Sequence, residues 1–135
     1  MSDIRTELSK KNPYYLSKYR YLELKYFCLQ YKEYKDEYRD CVRRSSEGGG
    51  QVEYSDPTGN TVVKRDCLLH KIKSIEDCAI LAGEDLASYI LMSVTNDLTY
   101  SNLRLMHDIP CGKNQFYDKR HKFFWILSRK FSSVL

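Results

Sequence analysis

Apolar residues recur along most of this chain at spacings of three and four, which places them on one face of an α-helix. The alternation of apolar and polar residues that marks a β-strand is absent. Two stripes overlap near the N-terminus, the second rotated by about one residue: Tyr15, Tyr19, Leu22, Tyr26 and Leu29, then Phe27, Tyr31, Tyr34, Tyr38 and Cys41. We predict a helix that begins at Asn12-Pro13 and either bends near Gln30 or gives way there to a second helix.

Turn residues divide the chain after this tyrosine-rich segment. Three successive glycines, Gly48 to Gly50, predict a flexible linker because ordering them costs much backbone entropy. The stretch from Asp56 to Thr61 then predicts a turn that leads into a helix, and Gly83 would end that helix. A shorter helix would follow and stop at Asn96-Asp97. The candidate N-caps of the longer helix are Thr58, Asn60 and Thr61.

The last third of the chain is predicted to form two helices joined by a turn. Thr99 is a suitable N-cap for the first helix, and the proline and glycine of Asp108 to Gly112 interrupt it. The second helix runs from about Lys113 to Phe131. We therefore predict an all-α single domain of five or six helices with a C-terminal helix-turn-helix. Its parts are a flexible N-terminus (1–12), a tyrosine-rich helical segment (13–44), a glycine-rich linker (45–56), a helical core (57–98) and the helix-turn-helix (99–131).

Positive charge is concentrated at the C-terminus. The 135 residues carry a net charge of +4, and residues 113–135 alone contain six basic side chains and one acidic side chain. A field concentrated on one helix steers polyanions more strongly than the same charge spread evenly. This charge indicates nucleic-acid binding, although many basic helices are merely solvated. One of the six, Arg120, lies on the apolar side, where it would form a buried pair or extend its stem to the surface.

The residue types at the start of the last helix fit the recognition of DNA bases. Asn114 and Gln115 can each pair bidentately with adenine, and Lys113 can reach guanine or phosphate. Asp118 and Lys119 follow one turn later on roughly the same side, so these five residues are the candidates for base readout. The candidates for phosphate contacts are Lys122, Arg129 and Lys130.

The stretch from Ile109 to Phe124, IPCGKNQFYDKRHKFF, resembles the C-terminal motif of small proteins from phages and integrated elements of Gram-positive bacteria. These proteins resemble transcriptional regulators of the ArpU and RinA type, whose end is similar to the DNA-binding region 4 of sigma factors. The Asp56-Pro57-Thr58-Gly59 turn and Phe27 to Tyr31 also resemble parts of that group. The resemblance implies a sequence-specific DNA-binding regulator of phage or mobile-element transcription, with double-stranded DNA and RNA polymerase as candidate partners.

Eight tyrosines lie between Tyr14 and Tyr38, and they support a rival function. Aromatic rings among basic residues can stack on single-stranded bases. Acidic residues balance the basic ones here, however, which favours tyrosines that pack in a core or a helix–helix contact. A homodimer through this segment would suit a regulator that binds paired half-sites. The rival function is a small helical interaction module that binds a host or phage protein without contacting DNA.

Catalytic and metal chemistry have little support in the sequence. The pairs Cys67/His70 and His107/Cys111 could supply zinc ligands, but the regular spacings of structural zinc sites are missing. Cys111 lies beside a basic helix start that would lower its thiol pKa and favour a nucleophile, although packing is the commoner role of such a cysteine. Phosphate-binding, metalloprotease and serine-hydrolase motifs are absent. We expect reduced cysteines, no metal, no cofactor and no enzymatic activity.

The sequence predicts no membrane span and no secretion signal. The most apolar stretch, around residues 79–94, is interrupted by Glu84 and Asp85, so no run reaches the length of about 18 apolar residues that a spanning helix needs. The N-terminus carries Asp3, Arg5 and Glu7 where a signal peptide would have its apolar region. We therefore expect a cytoplasmic protein.

Overall fold

The structure is a computed structural model that describes residues 11–47 and 57–134, and within them the side chains of residues 11–44 and 61–131. These ranges contain six α-helices and no strand, which confirms the all-α prediction. The helices are α1 (Lys18–Leu29), α2 (Tyr31–Glu47), α3 (Pro57–Ala82), α4 (Ala87–Asn96), α5 (Tyr100–His107) and α6 (Lys113–Val134). A 3₁₀ turn at Glu84–Leu86 precedes α4. None of the described helices combines the length and the apolar character needed to cross a bilayer.

The helix α1 begins at Lys18, later than the Asn12-Pro13 start that the sequence predicts. The Asn12 side chain accepts a hydrogen bond from the backbone N–H of Tyr14 at 2.8 Å and so closes a turn. This local bond competes with helix formation, as asparagine side chains commonly do. The N-cap is instead Ser17, whose hydroxyl accepts from the backbone N–H of Arg20.

Two separate helices, α1 and α2, meet at Gln30, which settles the alternative of one bent helix. The backbone N–H of Gln30 bonds back to the carbonyl of Phe27 at 3.3 Å and ends α1 with a tightened turn. The helix α2 continues to Glu47, so residues 45–47, which the sequence assigns to the linker, are helical. The remaining linker residues, 48–56, lie outside the described residues.

The helix α3 begins at Pro57, so residues 57–61 are helical and the predicted turn there is wrong. The predicted N-caps Thr58, Asn60 and Thr61 are wrong as well, because all three lie inside the first turns of α3. Proline suits the first helical position, where its missing N–H has no intrahelical partner to lose. Gly83 directly follows α3, as predicted, with an extended backbone (φ −179°) instead of a left-handed cap. A Cβ atom there would lie 3.2 Å from Cδ of Lys119, so α6 passes close to this point.

Two aspartates and a capping box define the limits of α4 and α5. Asp97 and Asp108 adopt left-handed backbone conformations (φ 55° and 51°) directly after α4 and α5. Thr99 is the N-cap of α5, as predicted, and its hydroxyl accepts from the backbone N–H of Asn102 at 3.2 Å. The Asn102 side chain in turn accepts from the backbone N–H of Thr99 at 2.9 Å. Both bonds satisfy donors that a helix start otherwise leaves unpaired.

Thr99→Ala is expected to lower the free energy of unfolding by about 1 kcal/mol, because the backbone N–H of Asn102 loses its hydroxyl acceptor. Urea denaturation followed by circular dichroism measures the change. The control is Ser101→Ala, since Ser101 is exposed in the same helix and outside the cap. We expect it to change stability by less than about 0.5 kcal/mol. Equal losses in the two variants would contradict a specific contribution of the cap.

The core forms around α6, which contacts α1, α3, α4 and α5. Phe116, Phe123, Phe124 and Leu127 of α6 are at most 1% exposed. Each neighbouring helix contributes a fully buried aliphatic residue to the same cluster: Leu24, Ile75, Ile90 and Leu103. Burial of side chains this large stabilises a fold by about 1.5–3 kcal/mol each. The position of α6 is therefore determined by packing along most of its length.

Candidate nucleic-acid interface

The turn between α5 and α6 is fixed by contacts to both helices. The Tyr100 hydroxyl donates to the carbonyl of Cys111 in the turn at 2.6 Å. The Tyr117 hydroxyl of α6 accepts from the backbone N–H of Tyr100 at 3.2 Å. Ile109 of the turn is buried. These contacts hold the start of α6 in one orientation relative to α5.

The first turns of α6 present polar side chains to solvent. Lys113, Asn114, Gln115 and Asp118 are all exposed, whereas Phe116 between them is fully buried. No acidic residue lies in the first turn of α6, so the positive end of the helix dipole adds to the charge of Lys113. We call these four exposed residues the α6 tip. They are half of the eight candidates that the sequence predicts for DNA contacts.

The other four candidates lie outside the α6 tip, and three of them are less exposed than its residues. Lys119 is half-buried because its aliphatic stem packs against Gly83 after α3. Lys130 is also half-buried, and its positive charge partly opposes the rise that burial causes in the pKa of the Cys78 thiol of α3. Lys122 is half-buried, and Arg129 is exposed near the far end of α6. The axial distance from the start of the helix to Arg129 is about 24 Å at 1.5 Å per residue.

Arg129 belongs to an aromatic cluster that the sequence analysis missed. Its guanidinium lies 5.0 Å from the centroid of the Trp125 ring, and that ring contacts the Tyr14 ring at 5.7 Å. The spacing of four residues between Trp125 and Arg129 on one helix face is the signal that could have revealed it. The Trp125 ring therefore restricts the positions that the Arg129 guanidinium can adopt.

Arg120 is buried, so its stem does not extend to the surface, and it hydrogen-bonds two hydroxyl groups where the sequence suggested a buried pair. It is 5% exposed, its Nε donates to the Ser93 hydroxyl at 3.1 Å, and its Nη1 donates to the Tyr21 hydroxyl at 3.4 Å. The guanidinium also lies 5.2 Å from the centroid of the Phe124 ring. Its neighbours within the described residues are thus neutral groups, and it does not reach the surface. Five of the six basic side chains of the C-terminal region remain to attract polyanions.

Ser93→Ala is expected to lower the free energy of unfolding by about 1–3 kcal/mol, because it leaves the buried Nε–H of Arg120 without an acceptor. The Ser93 hydroxyl also donates to the carbonyl of Leu98 at 2.6 Å, and that bond is lost as well. Ser88→Ala is the matched control, since Ser88 is exposed in the same helix α4. Thermal or urea unfolding measures both variants, and a loss no larger than that of the control would refute the role of this hydroxyl.

Three of the cysteines, Cys28, Cys78 and Cys111, have a raised thiol pKa. Burial raises the pKa of Cys28 far above its ordinary value and that of Cys78 to about 11. Burial also raises the pKa of Cys111, which is opposite to the lowering that its place beside a basic helix start suggests. A raised pKa disfavours the thiolate that acts as a nucleophile or a metal ligand. Within the described part of the chain, no three His, Cys, Asp or Glu side chains converge to hold a metal ion.

The tyrosine-rich segment has two different faces. Tyr21, Tyr31 and Tyr34 are buried, whereas Tyr19 and Tyr26 are 78% and 57% exposed. The second predicted stripe therefore packs in the core through α2. In the first stripe Tyr19 and Tyr26 face solvent, whereas Leu22 between them packs against the core. The buried positions of α1 are Tyr21, Leu24 and Cys28, a stripe of the same spacing that the sequence analysis did not single out.

No protein-family model, curated protein or solved structure matches this chain. The resemblance of residues 109–124 to phage regulators therefore stays a prediction from the sequence.

Proposed function

We propose that this chain is a sequence-specific DNA-binding regulator of transcription from a phage or another mobile element. The observation that supports this function best is the α6 tip, where Lys113, Asn114 and Gln115 are exposed on a helix whose Phe116 and Phe123 are fully buried. A recognition helix needs polar side chains at its N-terminal end and an apolar side that fixes it to the protein. The α6 helix has both features.

The α6 tip carries the chemistry for reading the major groove. The amides of Asn114 and Gln115 each offer a donor and an acceptor that match N6 and N7 of adenine. The Asp118 carboxylate, one turn later, can accept from N4 of cytosine. The positive end of the helix dipole favours a nearby phosphate, and Lys122 and Arg129 extend the same side of α6 towards the backbone of the duplex.

Two experiments test the proposal. The first selects bound duplexes from a random pool, and the second measures the affinity for the selected duplex over a range of salt concentrations. If Lys113, Lys122 and Arg129 each neutralise one phosphate, log K should fall with log[salt] with a slope of about −2.7. Affinity would then drop about 40-fold between 50 and 200 mM salt. Enrichment of a defined sequence together with this slope supports the proposal. No duplex binding at 50 mM salt would overturn it.

The second candidate function is a protein-interaction module, and the exposure of Tyr19 and Tyr26 on α1 favours it. Both rings lie on the same side of α1 as Leu22, at spacings of three and four. A second copy of this chain is the partner that would also suit DNA binding at paired half-sites. Sedimentation equilibrium of the wild type and of Tyr19→Ser/Tyr26→Ser tests the homodimer. A wild-type dimer that dissociates in the double variant supports the homodimer, and a wild-type monomer refutes it.

RNA polymerase is a further proposed partner, because residues 109–124 resemble the sigma-like end of phage regulators.

A further inference from the structure

An open groove runs along one side of the pair of helices α2 and α3. The Tyr31 hydroxyl donates a hydrogen bond to the Glu76 carboxylate, and the Lys71 ammonium lies over the Tyr34 ring. Tyr34 comes later than Tyr31 in α2, whereas Lys71 comes earlier than Glu76 in α3. The two helices are therefore antiparallel. The groove has a volume of about 320 Å³, within the range of sites that hold a ligand. It is lined by Lys35, Tyr38, Arg39, Val42, Leu69 and Ile72.

The groove is lined by apolar side chains and by two cations. Val42 is 38% exposed, although valine is usually buried. Lys35 has no carboxylate within ion-pair distance among the described residues, and its ammonium lies 5.1 Å from the Tyr31 ring centroid. Arg39 pairs with Asp36 at 3.0 Å, but both side chains are more than half exposed. A surface pair of this kind contributes little and exchanges readily for another carboxylate.

The side chains that line the groove carry positive charge only. Lys35 and Arg39 are its two charged residues, and no acidic side chain lines it. The acidic residues of α2 lie beside the basic ones, since Asp36 pairs with Arg39 at 3.0 Å and Asp40 pairs with Arg43 at 3.2 Å. The groove therefore presents positive charge next to apolar surface.

We propose that this groove binds an acidic amphipathic helix of a partner protein. A third helix laid along α2 and α3 would place apolar side chains at i, i+3, i+4 and i+7 on Tyr38, Val42 and Leu69. Its carboxylates would flank that stripe and meet Lys35 and Arg39. The lining from Lys35 to Val42 spans about 10 Å of α2, or two helical turns, which suits a helix better than a compact ligand.

The groove is separate from the α6 tip. Ile72 and Leu69 lie 11 and 14 residues before Gly83, the point where Lys119 of α6 packs. That spacing corresponds to about 17–21 Å along α3. The groove can therefore be altered without touching the residues proposed to contact DNA, and the proposal does not depend on DNA binding.

Fluorescence anisotropy with a synthetic helical peptide tests the proposal on the full chain. The probe is a labelled peptide of about 16 residues with leucine at i, i+3, i+4 and i+7 and glutamate elsewhere, and its matched control has lysine in place of every glutamate. We expect the acidic peptide to bind the wild type with a micromolar Kd, and Lys35→Glu/Arg39→Glu to weaken it by about tenfold or more. The lysine peptide should prefer the double variant over the wild type.

A second double variant separates the groove from general electrostatics. Arg44→Glu/Lys64→Glu makes the same change in net charge at exposed residues that do not line the groove. It should bind the acidic peptide within about twofold of the wild type. Equal weakening by both double variants, or no binding at about 200 μM peptide, would overturn the proposal. Dissociation of a homodimer by Lys35→Glu/Arg39→Glu would overturn it in favour of a second copy.

Duplex binding by the same variants separates this proposal from the proposed function. Lys35→Glu/Arg39→Glu should keep the sequence preference of the wild type for DNA, because the α6 tip is unchanged. Peptide binding by a wild type that binds no duplex would refute the proposed function and leave the groove proposal supported. Circular dichroism checks that each variant keeps its helix content.

Discussion

Phe123→Ala is expected to lower the free energy of unfolding by about 3–5 kcal/mol, the largest effect of any single substitution considered. The Phe123 side chain is fully buried and lies against Phe124, with ring centroids 5.0 Å apart in an edge-to-face arrangement. Its removal leaves a cavity in the centre of the core, which neighbouring helices cannot fill without moving. Most small domains have a total stability of only about 5–15 kcal/mol, so this loss is large. Urea denaturation monitored by circular dichroism measures it.

Asn114→Ala is the control for Phe123→Ala because it lies in the same helix with an exposed side chain. We expect it to change stability by less than about 0.5 kcal/mol. A loss below about 1 kcal/mol in Phe123→Ala would contradict the central position of α6. It would also remove the support for a fixed α6 tip, because the tip is held by the packing of Phe116, Phe123 and their neighbours.

Local side-chain chemistry made several helix ends predictable. The structure has helix ends at the three places predicted in this part of the chain: Asn96-Asp97, Thr99 and the Asp108–Gly112 turn. Each of these signals depends only on the backbone of residues close to it in sequence. The start of α1 was predicted wrongly because the proline at residue 13 suited a helix start. The turn closed by Asn12 competes with that start, and sequence alone does not rank the two.

The choice between two stripes on one helix could not be made from spacing. Both the Tyr19/Leu22/Tyr26 stripe and the Tyr21/Leu24/Cys28 stripe have helical periodicity. The second faces the core because α4 and α6 lie on that side of α1. Tyrosine adds to the ambiguity, since its ring packs well and its hydroxyl is compatible with solvent.

The candidate site was predictable only where it depends on local sequence. Exposure of Asn114 and Gln115 follows from their position opposite the apolar side of α6. The partners of Arg120 lie 27 and 99 residues away along the chain, so its burial depends on tertiary packing. Half-burial of Lys119 likewise requires knowledge that α6 passes the end of α3.

Asn114→Ala/Gln115→Ala is expected to reduce the discrimination between the selected duplex and a scrambled one. Each bidentate contact to a base contributes about 1–3 kcal/mol of discrimination, so the double variant should lose at least about tenfold. Affinity for the scrambled duplex should stay nearly unchanged, because the contacts to phosphates remain. Titration of both duplexes at one fixed salt concentration measures the ratio, and denaturation confirms that the variant is folded.

Arg129→Ala is the matched comparison for that double variant, because Arg129 is exposed near the far end of α6 and stacked on Trp125. A phosphate contact carries no base information, so this change should weaken binding to both duplexes by the same factor. It should also reduce the slope of log K against log[salt] by about 0.9. If both variants instead weakened the two duplexes equally, Asn114 and Gln115 would make contacts that do not depend on sequence, and the α6 tip would read no bases. A recognition helix requires that the tip variant loses discrimination between duplexes and that Arg129→Ala loses affinity for both. Residues that read bases and residues that contact phosphates then lie in different parts of α6.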